Sequence, residues 1–282
     1  MTGRQQIKVI AVVLNWRDTD ATMQCLDSLL REKLLASVVL VDNESSGELR
    51  SAVSDRVQLV ENPENLGFAK GVNSGIHKAM TLGADAVFVI NNDATVREGA
   101  LEKLIKAWVS TEEPVLLAPR VVNLDGTDQS TGGYFRAVDA STRDLGNKYV
   151  NYLTWACVLL PVATIKILGL LDERFFMYWE DVDYGLRASK AGVRMRLVDD
   201  AHVEHERSKS HSRAGAKIEG YSAAGLTLLC LKRGGVALFV GLPYRLIGRL
   251  LTRLGSPGRV RSIARGFLAG CRAFRGKAAP SA

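Results

Sequence analysis

The chain has 282 residues, 47% hydrophobic and 24% charged, which excludes a disordered or low-complexity polypeptide and suits one large domain or a domain with an extension. The net charge of +7 is uneven: Glu219 is the last acidic residue and eleven Lys or Arg follow it, so 26 basic and 30 acidic residues leave the body at −4. That division points to a body that carries the chemistry and a tail that meets an anionic surface. The apolar run Val9 to Leu14 is too short for a membrane span or a signal-peptide core, and it ends in Asn15. Cys25, Cys157, Cys230 and Cys271 are far apart with no CxxC, so reduced thiols in a cytoplasmic protein are expected.

IKVIAVVLN (7–15) is a continuous β-branched run, the pattern of a strand buried on both faces. A helix follows, with Asp18 to Asp20 as cap candidates and Met23, Leu26, Leu29 and Leu30 as its apolar stripe. SVVLVDN (37–43) and VQLVEN (57–62) read as strands, 68–83 as a helix, AVFVINND (86–93) as a strand, 97–109 as a helix and 114–122 as a fifth strand. Strands alternating with helices imply βαβ units and a mainly parallel sheet. From 123 to 150 the pattern weakens, and Gly126, Gly132 and Gly133 suggest turns and a hairpin. TWACVLLP (154–161) is strand-like, 180–192 helical with Gly192 as its stop, and 193–206 strand-like before a basic loop. There is no internal repeat.

Three strands end in short polar groups: Asn15, Asp42-Asn43, and Asn91-Asn92-Asp93. In an open parallel sheet ligands bind at the carboxyl ends of strands, although Asn and Asp also favour turns. No GxGxxG and no GxxxxGK[ST] is present, so a bound phosphate needs a metal or a basic side chain. Asp93 is the natural oxygen ligand for Mg²⁺ or Mn²⁺ on a diphosphate, and Lys70 is a candidate phosphate contact or a solvated helix residue. In FFMYWEDVDYGLR (175–187) an apolar run is followed at once by Glu180, Asp181 and Asp183. That is either a helix start with acids favoured by its dipole, or an active site. Phe175, Phe176 and Trp179 suit a core as well as a sugar platform. His202 and His205 are read as sharing a strand face; His77 and His211 carry no assigned role.

VVLNW, VDNESSG, NLGFAKGVNSGI, NNDATV, LLDERFFMYWEDVDYGLRASKAG and HVEHERSKS occur in the order found in glycosyltransferase family 2, and most resemble its bacterial rhamnosyltransferase-like branch. The resemblance covers roughly residues 7 to 210. It implies a GT-A fold, an αβα sandwich with a mainly parallel central sheet, and inverting transfer from a nucleoside-diphosphate sugar. Residue by residue, it implies that Asp42 contacts the base or ribose and that Asp93, with Asn92 beside it, belongs to the metal and diphosphate motif. It implies Asp181 as general base with Glu180 beside it, and His205 near the metal. Asn15 and Lys70 complete the expected donor-binding set. An acceptor hydroxyl must lose a proton as it attacks, and a positioned carboxylate can take it. Three departures stand out. Asn91 replaces the first acid of the metal motif, Trp155-Ala156 replaces a small Gly-Ala pair near the acceptor, and YSAAGLTLLCLKRGG lacks a downstream Arg-Asn pair.

The expected organisation is a GT-A domain over 1–218, with a nucleotide-binding half to about 122 and an acceptor-binding half over 123–218. A basic amphipathic helical region over 219–282 follows. In that region Arg245, Arg249 and Arg253 fall on one helical face, with Leu246, Ile247, Leu250, Leu251 and Leu254 on the other. Cationic and apolar faces with no acid suit an anionic membrane surface, whereas packed leucines and solvated arginines are the plain reading. Nucleic acid is disfavoured because aromatic interleaving is sparse. The expected acceptor is lipid-linked or a polysaccharide precursor at the inner face of the cytoplasmic membrane. The alternatives are a sugar nucleotidyltransferase, disfavoured by the lack of glycine in VVLNWRDTD, and a membrane-bound glycan-binding pseudoenzyme suggested by NND.

Overall fold

The computed structural model describes residues 7–45, 47–129, 131–143, 150–206 and 216–276. The basic loop after 206, His211 within it, and Lys277 lie outside the described residues. The strands are β1 (Val9–Asn15), β2 (Leu35–Asp42), β3 (Val57–Glu61), β4 (Ala86–Asn91), β5 (Ala94–Val96), β6 (Val115–Val122), β7 (Gly132–Arg136), β8 (Ser141–Arg143), β9 (Tyr152–Leu153), β10 (Cys157–Pro161) and β11 (Arg194–His205). The helices are α1 (Thr19–Leu30), α2 (Gly67–Thr81), α3 (Ala100–Val109), α4 (Val162–Leu168), α5 (Glu180–Lys190), α6 (Ala216–Arg233), α7 (Leu242–Leu251) and α8 (Pro257–Phe274). Every long element foreseen from periodicity is present, with ends shifted by a few residues.

One eight-stranded sheet runs in the order β3-β2-β1-β4-β10-β6-β11-β5. β3, β2, β1 and β4 are parallel, as are β6 and β11, while β10 and β5 run antiparallel to their neighbours. The central strands are apolar throughout because both faces are covered. Ile10 and Val12 face the core under α2, α5 and α6, and Val9, Ala11 and Val13 face the core under α1 and α3. Asp18 caps α1 by accepting from the Ala21 amide at 3.3 Å.

Register positions the site. Asn15 pairs with Asp42 and Leu14 with Asn91, so the carboxyl ends of β1, β2 and β4 line up on one edge. β5 returns against β11 with Ala94 opposite His205, which brings Asp93 beside His205. Gly132 and Gly133 are not turn residues. They lie inside β7, where the backbones of Tyr152 and Arg143 pass too close for a side chain, and the hairpin turns at 137–140 instead.

The helix α6 runs straight through the expected boundary at 218/219. Leu226, Leu228, Leu229 and Cys230 join the same core as Phe175 and Trp179. The other side of α6 packs on α8, where Gly266 and Gly270 let the two backbones approach closely. A π-helical turn over Ala237–Gly241 leads into α7. Among the described residues no helix is long and apolar enough to cross a membrane.

The plain reading of α7, leucines packed and arginines solvated, is largely reversed, although Leu246 packs on the core. Its arginines face inward: Arg253 pairs with Glu219 of α6 at 3.0 Å and Arg249 donates to Ser222 at 3.0 Å. Tyr244, Ile247, Leu251 and Leu254 are 66%, 55%, 61% and 68% exposed. Periodicity separates two faces but does not say which one meets the body. Polar partners on α6 decide it, and the arginine stems supply apolar packing.

Candidate active site

A cavity of about 560 Å³ opens at the carboxyl edge of the sheet. Asn92, Asp93, Glu180, Asp181 and His205 all line it. Asn15, Asp42 and Lys70 are not among its described lining residues. Asn15 is buried and accepts from Thr22 Oγ1 at 2.8 Å, joining β1 to α1. Asp42 is fully buried, with Oδ1 accepting from the Glu44 amide at 3.1 Å. Lys70 is exposed on α2. Asn92 lines the cavity, yet its amide donates to Thr22 Oγ1 at 3.0 Å.

Sequence reasoning passed over several lining residues. Asn43, next to Asp42, is buried and faces the cavity. Its amide donates to Asn65 Oδ1 at 3.0 Å and to the Gly67 carbonyl at 3.1 Å, and its Oδ1 accepts from Asn62. Strand alternation could have distinguished it from Asp42, since successive residues point to opposite sides. Trp16, Arg17, Phe68, Lys217 and Tyr221 also line the cavity. They come from three regions of the chain, the end of β1, the start of α2 and the first turns of α6.

On one wall, Asp93 Oδ1 lies 3.0 Å from His205 Nε2. The other ring nitrogen, Nδ1, lies 3.0 Å from Gln129 Oε1. The Gln129 amide nitrogen donates to Asn123 Oδ1 at 2.7 Å and to the His205 carbonyl, which leaves Oε1 to accept from the ring. With Nδ1 donating to Gln129, Nε2 is aimed at Asp93 Oδ1, a contact that a second ring proton or a shared cation closes. Among the described residues no cluster of three or more His, Cys, Asp or Glu forms here. One carboxylate and one imidazole fit Mg²⁺ or Mn²⁺, ions that keep waters and complete their shells with substrate phosphate. His202 does not share this face. It is three residues from His205, an odd step on an alternating strand, and it does not line the cavity.

Elsewhere in the lining, Glu180 and Asp181 open α5. The two residues before them, Tyr178 and Trp179, both adopt left-handed backbone, with φ of 71° and 73°. Such conformations cost about 1–3 kcal/mol each and persist where surrounding structure imposes them. Here the segment is clamped from two sides. The Phe68 amide donates to the Phe176 carbonyl at 2.6 Å, beside Gly67, where a Cβ would come within 2.3 Å of that oxygen. On α6, a Cβ at Gly225 would come within 2.3 Å of the Tyr178 carbonyl. Only glycine lets both neighbours approach so closely.

The aromatic run divides between core and cavity. Phe175 and Trp179 are buried, and Trp179 meets Phe135 edge-on at 6.2 Å. Phe176 lines the cavity with its ring 4.8 Å from Tyr221. Trp155 also lines it, held edge-on to Tyr184 at 4.9 Å. Asp183 is buried and structural, pairing with Arg187 at 3.1 Å and with Lys232 of α6 at 2.6 Å.

Burial pushes Asp181 up to about 6, against the pull of the Val182 amide, which donates to Oδ1 at 2.7 Å. Burial and the Asp181 charge push Glu180 well above the usual carboxylate range. Glu180 Oε2 has no hydrogen-bond partner among the described residues. Burial thus holds both carboxyls above the usual carboxylate range. A desolvated carboxylate at the edge of a cavity is suited to accepting a proton.

The sequence model described as Glycosyl transferase family 2 matches residues 11–158, just over half of the chain. The chain is 27% identical over 182 residues to the low-salt glycan biosynthesis hexosyltransferase Agl10 of Haloferax volcanii, covering 60% of this chain and 59% of that one. It is 28% identical over 210 residues to an N-acetylglucosaminyl-diphospho-decaprenol L-rhamnosyltransferase of Mycobacterium tuberculosis, covering 63% and 68%. Among solved structures, GalNAc-T7 with UDP, GalNAc and Mn²⁺ superposes with a TM-score of 0.64 at 14% identity, over 81% of this chain and 48% of that one. The mannosyltransferase PcManGT of Pyrobaculum calidifontis with GDP-Man and Mn²⁺ gives 0.58 at 16% identity, over 97% and 83%. These two likenesses establish a GT-A type fold, and the family match establishes membership: the chain belongs to glycosyl transferase family 2.

Proposed function

We propose that the protein is an inverting, metal-dependent glycosyltransferase that moves a hexosyl unit, with rhamnose the first candidate, from a nucleoside-diphosphate sugar to a hydroxyl of a lipid-linked or polysaccharide-precursor acceptor. The observation that carries the reading is that the Asp93–His205 pair and the raised Asp181 carboxylate line one and the same cavity. Asp181 accepts the acceptor's proton as the hydroxyl attacks the anomeric carbon. Glu180 orients the acceptor through a hydrogen bond. Asp93 and His205 hold the ion, and Gln129 keeps the His205 Nε2 lone pair turned toward it. A bound Mg²⁺ or Mn²⁺ offsets charge developing on the leaving diphosphate. The donor's base and ribose are assigned to the β1 and β2 ends, with Asp42 and Asn15 shaping that floor from within and Asn43 facing the ligand. Lys70 keeps its phosphate role only if the donor reaches the outer surface of α2. We divide the body at about residue 122 into donor and acceptor halves, with the helical region after 218 completing the acceptor half.

The acceptor class is supported by the mycobacterial relative, whose name specifies a diphospho-decaprenol acceptor. The exposed apolar side of α7 supports contact with the inner surface of the cytoplasmic membrane, with Tyr244, Ile247, Leu251 and Leu254 entering the interface. Vesicle flotation of the full chain against an Ile247→Ser, Leu251→Ser variant tests this; equal flotation removes the membrane contact.

The test of the reaction is a panel of nucleotide sugars with and without Mn²⁺, read by thermal shift and by sugar transfer. Native-state binding raises apparent stability. A donor that stabilises the protein only with Mn²⁺ and is then turned over supports the reading. Binding without turnover to any acceptor restores the non-catalytic, glycan-binding reading. Family membership sets the nucleotidyltransferase alternative aside.

A further inference from the structure

Two guanidinium nitrogens, Arg245 Nε and Arg249 Nη1, are buried without a hydrogen-bond partner among the described residues. They stand one turn apart on α7. Arg249 Nη2 donates to Ser222 Oγ at 3.0 Å, and the same oxygen accepts from Trp179 Nε1 at 3.3 Å. One turn further, Arg253 pairs with Glu219. Three guanidiniums therefore follow one another along the helix, with the Glu219 carboxylate paired to one and acting on a second. Arginine cannot shed its charge, and a buried N–H without an acceptor is costly, so the cluster is complete only with an anion that offers several oxygens. Burial and the charges of Arg245 and Arg253 hold the Arg249 guanidinium below its ordinary value, as such crowding requires.

The position of the cluster is informative. Trp179 immediately precedes Glu180 and Asp181, and Lys217 and Tyr221 of α6 line the cavity beside Ser222. The outer side of the same helix, α7, is apolar and exposed. We propose that Arg245, Arg249 and Ser222 form a binding site for the phosphate group of a lipid-linked acceptor. The acceptor sugar then points toward Asp181 and the lipid chain runs out along α7. The identity of the anion as an acceptor group rests on the transferase reading. The anion site itself does not. Phosphate oxygens match the guanidinium fork, which a point charge such as lysine does not reproduce.

The test uses the full chain in EDTA, with phosphatidylcholine vesicles that carry either a polyprenyl diphosphate or phosphatidylglycerol at matched charge, and with soluble pyrophosphate as a third arm. Wild type is expected to prefer the polyprenyl diphosphate vesicles by about tenfold or more, and to be stabilised by pyrophosphate. Arg245→Gln with Arg249→Gln should abolish both effects while keeping its melting temperature in phosphate-free buffer, because it relieves crowded charge. Arg249→Lys should recover only part of the preference. Equal weakening toward both vesicle types would assign the arginines to the general membrane surface and overturn the proposal. So would a lower melting temperature with the vesicle preference retained, the mark of a purely structural pair. Transfer to a lipid-linked acceptor with an unchanged KM in the double variant would overturn the site and leave the transferase reading standing. Arginine-dependent binding without any transfer would do the reverse.

Discussion

On the Asp93 side of the cavity, Asp93 sits in the tight turn between β4 and β5 and His205 ends β11, and the ladder, Ala94 opposite His205, ties the two together. On the Asp181 side, the carboxylates follow two left-handed residues, Tyr178 and Trp179, pressed into place by backbone approaches at Gly67 and Gly225. The ladder side is redundant and relaxed. The base side depends on a few close contacts that hold a costly conformation against burial of two acids. Changes on the first side should therefore alter ligand affinity alone, and changes on the second should alter activity and stability together.

The sharpest break is expected from Asp181→Asn. Loss of a general base lowers rates by about 10²–10⁴-fold, so transfer should fall by that amount while donor affinity, measured by calorimetry, holds. Full activity in this variant would remove the base assignment.

Next in size is Gln129→Leu on the ladder side. Gln129 fixes the tautomer and direction of His205 without lining the cavity. Partners of metal-ligating histidines are worth about 10–100-fold in metal affinity. A Mn²⁺ titration of transfer should shift by that factor, with the melting temperature of the metal-free protein close to wild type. An unshifted titration would show that His205 is not a ligand.

Gly225→Ala tests the base side through packing alone. Its methyl group would collide with the Tyr178 carbonyl, a backbone atom that cannot swing away. Overpacking of this kind costs about 1–3 kcal/mol, or several degrees in melting temperature for a chain of this size. Transfer should fall with it. Thr95→Ala, an exposed change on the ladder, should stay within about 0.5 kcal/mol. Equal losses at the two positions would end the contrast between the walls.

The same contrast explains what was legible beforehand. Strands covered on both faces announce themselves as apolar runs, so β1, β2 and β4 and their polar ends could be read directly. Which polar residue of each end faces the cavity takes alternation and register together: Asn43 lines it while Asp42 is fully buried. Gln129 was invisible for a related reason, since it reaches His205 from a stretch with weak periodicity. On the base side, ED at a helix start was ambiguous by its own chemistry, and the glycines that clamp it lie more than 40 residues away in the chain on either side. The tail was legible in part. Its two faces were plain, but their orientation was set by Glu219 and Ser222 on a neighbouring helix.

The smallest effect concerns pH, and it separates burial from every other cause. Asp181 is ionised only above about 6 in the folded protein, whereas the unfolded chain releases that proton near its ordinary value of 3.8. Between those values the native state binds more protons than the unfolded state, so this group's contribution to stability falls as pH rises and levels off above 6. Transfer should move the opposite way, with kcat/KM climbing through about pH 6 as the base becomes available. Asp181→Asn removes the ionisation without changing the shape. The variant should therefore melt above wild type at pH 8, and its advantage should shrink as pH falls toward 4. An advantage that stays constant across that window would mean the Asp181 carboxylate is not desolvated, and the base wall would then owe its strain to the backbone alone.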